Sequence, residues 1–161
     1  MCVVNFRPAG PQTSRSTRGA RIGWHGDLEI HVKLRVFVVE DLHNVRVLLN
    51  DLLASRGAFE VVGTATTEAE ANLWLEENRD GWDLLIADLI LAQGSGISVV
   101  RRAAQASRSG KVVVLSGFAT EGIRKHLLEL GVARVFDKAN TEEFVRWLDG
   151  IGGAASTEQS P

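Results

Sequence analysis

The chain of 161 residues has one cysteine, Cys2, no tyrosine, and three prolines, at positions 8, 11 and 161. A lone cysteine excludes an internal disulfide framework and suits a reducing, cytoplasmic compartment. With no proline between residues 12 and 160, no candidate strand loses a ladder hydrogen bond to a missing N–H. Apolar runs such as Val112 to Leu115 are far too short for a membrane span, so the chain reads as soluble. A strong charge of one sign is lacking as well. The net charge is −2, and residues 1–32 carry four arginines against two acids. No basic field exists to hold nucleic acid, and DNA binding is not expected.

A hydrophobic fraction of 45% in a chain of this length is enough for one core without metal or disulfide staples. Residues 1–32 stand apart: "RPAGPQTSRSTRGARIG" shows neither helical nor strand period and predicts a disordered extension. No apolar h-region follows its arginines, and its resemblance to a transit peptide is superficial. "VKLRVFVVED" opens directly on a strand, which makes Val32 an alternative start of translation. After Ile151 the polar "GGAASTEQSP" reads as a flexible tail over 152–161.

Between them, over 33–151, apolar runs of strand length alternate with segments of helical period. That is the signature of an α/β fold, a doubly wound parallel sheet with helices on both faces. The spacing predicts strands at about 34–39, 59–64, 83–87, 111–115 and 133–136, and helices at about 43–56, 67–78, 96–107, 120–130 and 141–150. Val45, Leu48, Leu49 and Leu52 form a core-facing stripe on the first helix; Phe144, Trp147, Leu148 and Ile151 repeat it on the last. Thr67 with Glu70 has capping-box spacing, and Gly57 and Gly131 stand where helices should stop.

In such sheets, ligands bind outside the carboxyl ends of the strands. The first strand ends in Glu40 and Asp41, the third in Asp88, the fourth in Ser116 and the fifth in Lys138. Singly, each has a bland role: Asp and Ser after a strand cap the next helix, and a strand-end Lys is solvated. Their joint occurrence by chance is on the order of 10⁻⁴ after allowing for freedom in choosing strand ends. Hard oxygen ligands without Cys or His favour Mg²⁺ or Mn²⁺, and Mg²⁺ is commonly held by one or two carboxylates plus a phosphate. An Asp beside such a metal can act as a nucleophile and become an aspartyl phosphate. The Ser116 hydroxyl and the Lys138 ammonium can then cover the remaining phosphoryl oxygens.

Rival enzymes fail on pattern. Gly110 and Lys111 precede a strand instead of following one, which excludes a P-loop. Ser116 lacks the flanking glycine of a hydrolase elbow, and "EDLHN" replaces the glycine-rich turn of a dinucleotide fold. His43 reads as a solvated residue opening the first helix.

"VED" at 39–41, "DLILAQGSG" at 88–96, "LSGFA" at 115–119 and "FDK" at 136–138 resemble, in order and spacing, a stand-alone response-regulator receiver domain of two-component phosphorelay signalling. The resemblance implies the flavodoxin-like sheet of order 2-1-3-4-5. It implies Asp88 as phospho-acceptor, Glu40, Asp41, Asp88 and the Ile90 carbonyl as metal ligands, Ser116 as switch hydroxyl and Lys138 as phosphate-binding lysine. The implied donor is a phosphohistidine on a histidine kinase or histidine phosphotransfer protein, and the protein is not a metabolic enzyme. With no further domain after Ile151, the expected output is contact with a downstream protein, onward phosphotransfer, or a homodimer through the face of the fourth helix, fifth strand and fifth helix. Arg124, Lys125, Arg134 and Arg146 are placed on that face. Three departures accompany the likeness. Ala139 follows the lysine where the family has proline with a cis bond, Val135 stands at the switch-aromatic position, and Ala92 lies in the loop after Asp88. A cis bond is costly before a residue other than proline, and the sequence leaves the bond after Lys138 open between cis and trans. The alternative is a pseudo-receiver, a protein-binding module independent of phosphorylation.

Overall fold

Val36, Phe37, Val38 and Val39 are fully buried, as an unbroken apolar run must be when helices cover both faces of a sheet. A computed structural model of the chain describes residues 32–106 and 109–155. The expected extension, apart from Val32, and the end of the expected tail lie outside the described residues. The elements alternate: β1 (Leu34–Val39), α1 (His43–Ala54), β2 (Phe59–Ala65), α2 (Glu68–Glu77), β3 (Leu84–Ala87), α3 (Gly96–Ala106), β4 (Lys111–Ser116), α4 (Glu121–Glu129), β5 (Arg134–Asp137) and α5 (Thr141–Ala155).

The strands pair in parallel in the order β2-β1-β3-β4-β5. The chain therefore winds outward in both directions from β1, and the crevice where the order reverses opens between the carboxyl ends of β1 and β3. Period-two alternation sorts each strand between two cores. Val36, Val38, Leu84, Ile86, Val113, Leu115 and Phe136 face Leu49 and Leu53 of α1 and Phe144 and Leu148 of α5. Phe37, Val39, Leu85, Ala87, Val112 and Val114 face α2, α3 and α4 through Ala71, Leu75, Val99, Val100, Ala103 and Leu127. Each large aliphatic side chain so buried contributes about 1.5–3 kcal/mol.

Local details follow from packing. The β1–β2 register shifts so that Val36 faces Val61 while Phe37 faces Gly63. That glycine is required by space, because a Cβ there would lie 2.4 Å from the Trp74 indole nitrogen. The indole instead stacks on Phe37, ring centroids 3.9 Å apart. The Thr67 hydroxyl accepts from the Glu70 N–H at 3.2 Å. Glu70 returns a bond to the Thr66 N–H, one residue earlier than a reciprocal capping box would have it. Gly57 and Gly131 stop α1 and α4 with φ of 69° and 95°.

Two expectations need correction. Leu48, assigned to the core stripe of α1, is 67% exposed, and Leu53 is buried instead. Helix α5 runs on to Ala155 through Gly152, so the first part of the expected tail is helical. Gly152 is buried where the chain enters β2, and a Cβ there would meet that of Ala58 at 3.2 Å. Its small size allows the approach, which reading it as the start of a flexible tail misses.

Candidate metal and phosphate site

Strand β1 delivers Glu40 and Asp41 to the crevice, and β3 delivers Asp88. One carboxylate oxygen from each lies within 4.8 Å of the others. Glu40 and Asp88 are buried and Asp41 is half-buried. Three acids so close repel one another, and the structure answers with a cation from far along the chain. The Lys138 ammonium donates to Glu40 Oε2 at 2.7 Å and to Asp88 Oδ2 at 2.6 Å. Burial pushes the Glu40 carboxyl up from its ordinary value, and the bond from Lys138 offsets this only in part. Burial alone would lower the Lys138 ammonium. Its bonds to Asp88 and Glu40 outweigh that and hold it above its ordinary value, so it stays charged at neutral pH.

The remaining oxygens are directed by backbone. Asp88 Oδ1 accepts from the Ile90 N–H at 3.2 Å, Glu40 Oε1 from the Leu42 N–H at 3.2 Å, and Asp41 Oδ2 from the Ala92 N–H at 2.9 Å. This donor set suits a hard divalent cation. In octahedral coordination at about 2.1 Å, ligand oxygens stand roughly 3–4.2 Å apart, close to the 4.8 Å within which these carboxylate oxygens lie.

Ser116 is fully buried at the end of β4. Its hydroxyl accepts from the Phe118 N–H at 3.4 Å, and its carbonyl accepts from the Lys138 N–H at 3.4 Å. The departures from the family pattern now have a physical account. Ala139 uses the N–H that a proline lacks, donating to Asp137 Oδ1 at 2.8 Å and closing a turn around Lys138. Val135 packs toward the core under α4, whereas Phe136 turns to the other face and meets Phe144 edge-on at 5.3 Å.

Sequence reading missed that three residues brace this edge. The Arg46 guanidinium donates to the carbonyls of Glu40 at 2.8 Å and Asp41 at 3.3 Å, and lies 3.4 Å from Nδ1 of the exposed His43. Glu68 accepts from the Ser95 N–H at 2.7 Å. Arg124, expected on the output face, is half-buried and donates to the carbonyls of Ala119 at 3.2 Å and Val135 at 2.7 Å. A charged side chain bonded to backbone carbonyls leaves no periodic signal in the sequence. Around the polar floor, Leu42, Ile90 and Phe118 are all more than half exposed. Among the described residues, no helix is long and apolar enough to cross a membrane.

Comparison with known proteins agrees with the geometry. The family model described as the response regulator receiver domain matches residues 36–147. The uncharacterized transcriptional regulatory protein YhcZ of Bacillus subtilis is 29% identical over 122 residues, 74% of this chain and 56% of that protein. A protein-glutamate methylesterase/protein-glutamine glutaminase of Methanospirillum hungatei is 29% identical over 119 residues, 73% of this chain and 34% of the relative. The chain thus spans about half or less of these relatives. Among solved structures, the phosphorylated cyanobacterial phytochrome response regulator RcpA superposes with a TM-score of 0.65 at 27% identity, covering 80% of this chain and 98% of that one. By this match over most of its length, and by the fold that carries it, the chain belongs to the response-regulator receiver domains.

Proposed function

We propose that the chain is a phospho-accepting receiver in which Asp88 takes a phosphoryl group from a phosphohistidine donor. The observation that carries this reading is the convergence of Lys138 on Glu40 and Asp88, across 98 and 50 residues of sequence. Glu40, Asp41, Asp88 and the Ile90 carbonyl would hold Mg²⁺ or Mn²⁺, which when bound neutralises charge on the phosphoryl oxygens. An Asp88 carboxylate oxygen bonds to phosphorus as the donor's phosphorus–nitrogen bond breaks, and the electron pair leaves with the imidazole nitrogen. The oxygen that has become part of the acyl phosphate carries less negative charge, so Lys138 is drawn from Asp88 toward the phosphoryl oxygens. The Ser116 hydroxyl supplies a further donor. The rearranged loop after β4 shifts a two-state equilibrium of the face formed by α4, β5 and α5.

The donor in this reading is a protein, a histidine kinase or histidine phosphotransfer protein in the cytoplasm. Exposed Leu42, Ile90 and Phe118 offer it apolar surface around a charged centre. Structural relatives support the pairing. CheY6 of R. sphaeroides is in complex with the P1 domain of CheA3, and superposes on this chain with a TM-score of 0.59 at 24% identity.

The test is incubation with Mg²⁺ and a small-molecule phosphodonor, followed by intact mass. An acid-labile phosphoryl adduct absent from Asp88→Asn is expected. No adduct, or one that survives the substitution, favours the pseudo-receiver reading.

A further inference from the structure

The loop from Asp88 to α3 carries the carbonyl of Ile90, and its position is set from the far side. Ile90 and Ser95 face each other as an isolated antiparallel bridge, and the Gly96 N–H closes the loop on the Leu89 carbonyl at 3.0 Å. Glu68, the first residue of α2, grips the returning arm at three consecutive residues. Its N–H donates to the Gln93 carbonyl at 3.2 Å, and its Oε2 accepts from the Ser95 N–H at 2.7 Å. Between them Gly94, with φ of +87°, lies so close that a Cβ there would sit 2.3 Å from Glu68 Cβ. The other arm is held by Asp41 through the Ala92 N–H.

We propose that Glu68 is a positioning residue for the metal site: by accepting from Ser95 it fixes the arm opposite Ile90, and so holds the Ile90 carbonyl at ligand position. The inference rests on the phospho-accepting reading only in using that carbonyl as a ligand. Mg²⁺ tolerates little error in ligand placement, and a glycine-containing loop has much backbone freedom to lose. The clasp removes that freedom before the ion arrives. What matters is the reach of the acceptor oxygen, not its charge. An acid in the first turn of a helix also favours the helix dipole, and the two roles separate by substitution. Glu68→Gln keeps an oxygen at the same reach without the charge. Glu68→Asp keeps the charge but falls one methylene short of Ser95.

The experiment is isothermal titration of Mg²⁺ into the full chain, with amide exchange of the 90–95 segment measured in parallel. Glu77→Gln, at the exposed end of α2, controls for lost charge. Glu68→Gln and Glu77→Gln are expected within about twofold of the parent. Glu68→Asp and Glu68→Ala should bind about tenfold more weakly, the lower end of the cost of losing a group that supports a metal ligand, with faster exchange at Ser95. If Glu68→Ala does not fold, the Asp and Gln pair decides. Equal affinity across the series, or a Gln variant as weak as Asp, overturns the proposal. Absence in the parent of any Mg²⁺ binding that Asp88→Asn removes would instead sink the reading of these acids as a metal site, and this inference with it.

Discussion

Replacing Lys138 by methionine keeps most of the apolar stem and removes the charge that two buried acids share. The Glu40 and Asp88 side chains are 2% and 8% exposed and that of Lys138 is 21% exposed, so water screens the set poorly. Removing one partner of a buried pair costs about 3–5 kcal/mol. A ceiling applies, because Glu40 can take up a proton instead. For a carboxyl with an ordinary value of 4.5, protonation at about pH 7 costs at most about 3.4 kcal/mol, from about 1.36 kcal/mol per unit. The expected loss is therefore about 3 kcal/mol near pH 7, shrinking to about 1.4 kcal/mol near pH 5.5. The sign follows from linkage. A carboxyl whose folded value lies above its unfolded one binds more protons when folded, so stability falls as pH rises through that window. Glu40 already has this sense in the parent, and the variant should show it more steeply. Urea denaturation in chelator-containing buffers between about pH 5.5 and 8 measures it. A loss under about 1 kcal/mol at the upper end, or one independent of pH, would refute the assignment of Lys138 as counter-charge to Glu40 and Asp88.

Phe144→Ala removes a fully buried ring that packs edge-on against Phe136; chemical denaturation should show a loss of about 3–5 kcal/mol. Gly96→Ala would place a methyl 1.9 Å from the Asp88 carbonyl oxygen and 2.7 Å from Leu89 Cα. Backbone has to move to admit it, so thermal melts should fall steeply, whereas Gly150→Ala, with open space around it, should leave them unchanged or raised. Asp83 is held below its ordinary value of 3.8 by the hydrogen-bonded Arg35 guanidinium. The pair is partly exposed, so Asp83→Asn should cost only about 0.5–1 kcal/mol near neutrality. Because the folded value is depressed, that difference is present above 3.8 and fades as pH falls through the folded value, which parallel acid titrations of stability would check.

The strands were readable because their residues answer to a binary environment. The run from Val36 to Val39 is apolar without alternation and is covered on both faces. Glu40, Asp41, Asp88 and Lys138 could be grouped in advance because a parallel sheet brings every strand's carboxyl end to one edge, whatever the separation in sequence. Helix α1 was harder. Residues 45, 47, 48, 49, 52 and 53 are all apolar, an arc too wide to say which side faces the sheet, and Leu48 was assigned inward in place of Leu53. The bracing by Arg46, Glu68 and Arg124 was invisible for another reason. Each bonds to backbone, and a charged residue gripping a carbonyl or an N–H is spelled the same way as one in open water.

The loop after Asp88 divides into positions that cannot change and positions that can. Gly94 and Gly96 are closed to larger residues by Glu68 and by the Asp88 carbonyl, while the side chains of Ile90, Ala92 and Gln93 are exposed. Ala92 contributes to the site only through its N–H. A lineage, or a designed library, can therefore rewrite the outward side chains at 90, 92 and 93 without disturbing the backbone that surrounds the acids. Outward surface and chemistry occupy the same few residues of chain, yet they can diverge independently.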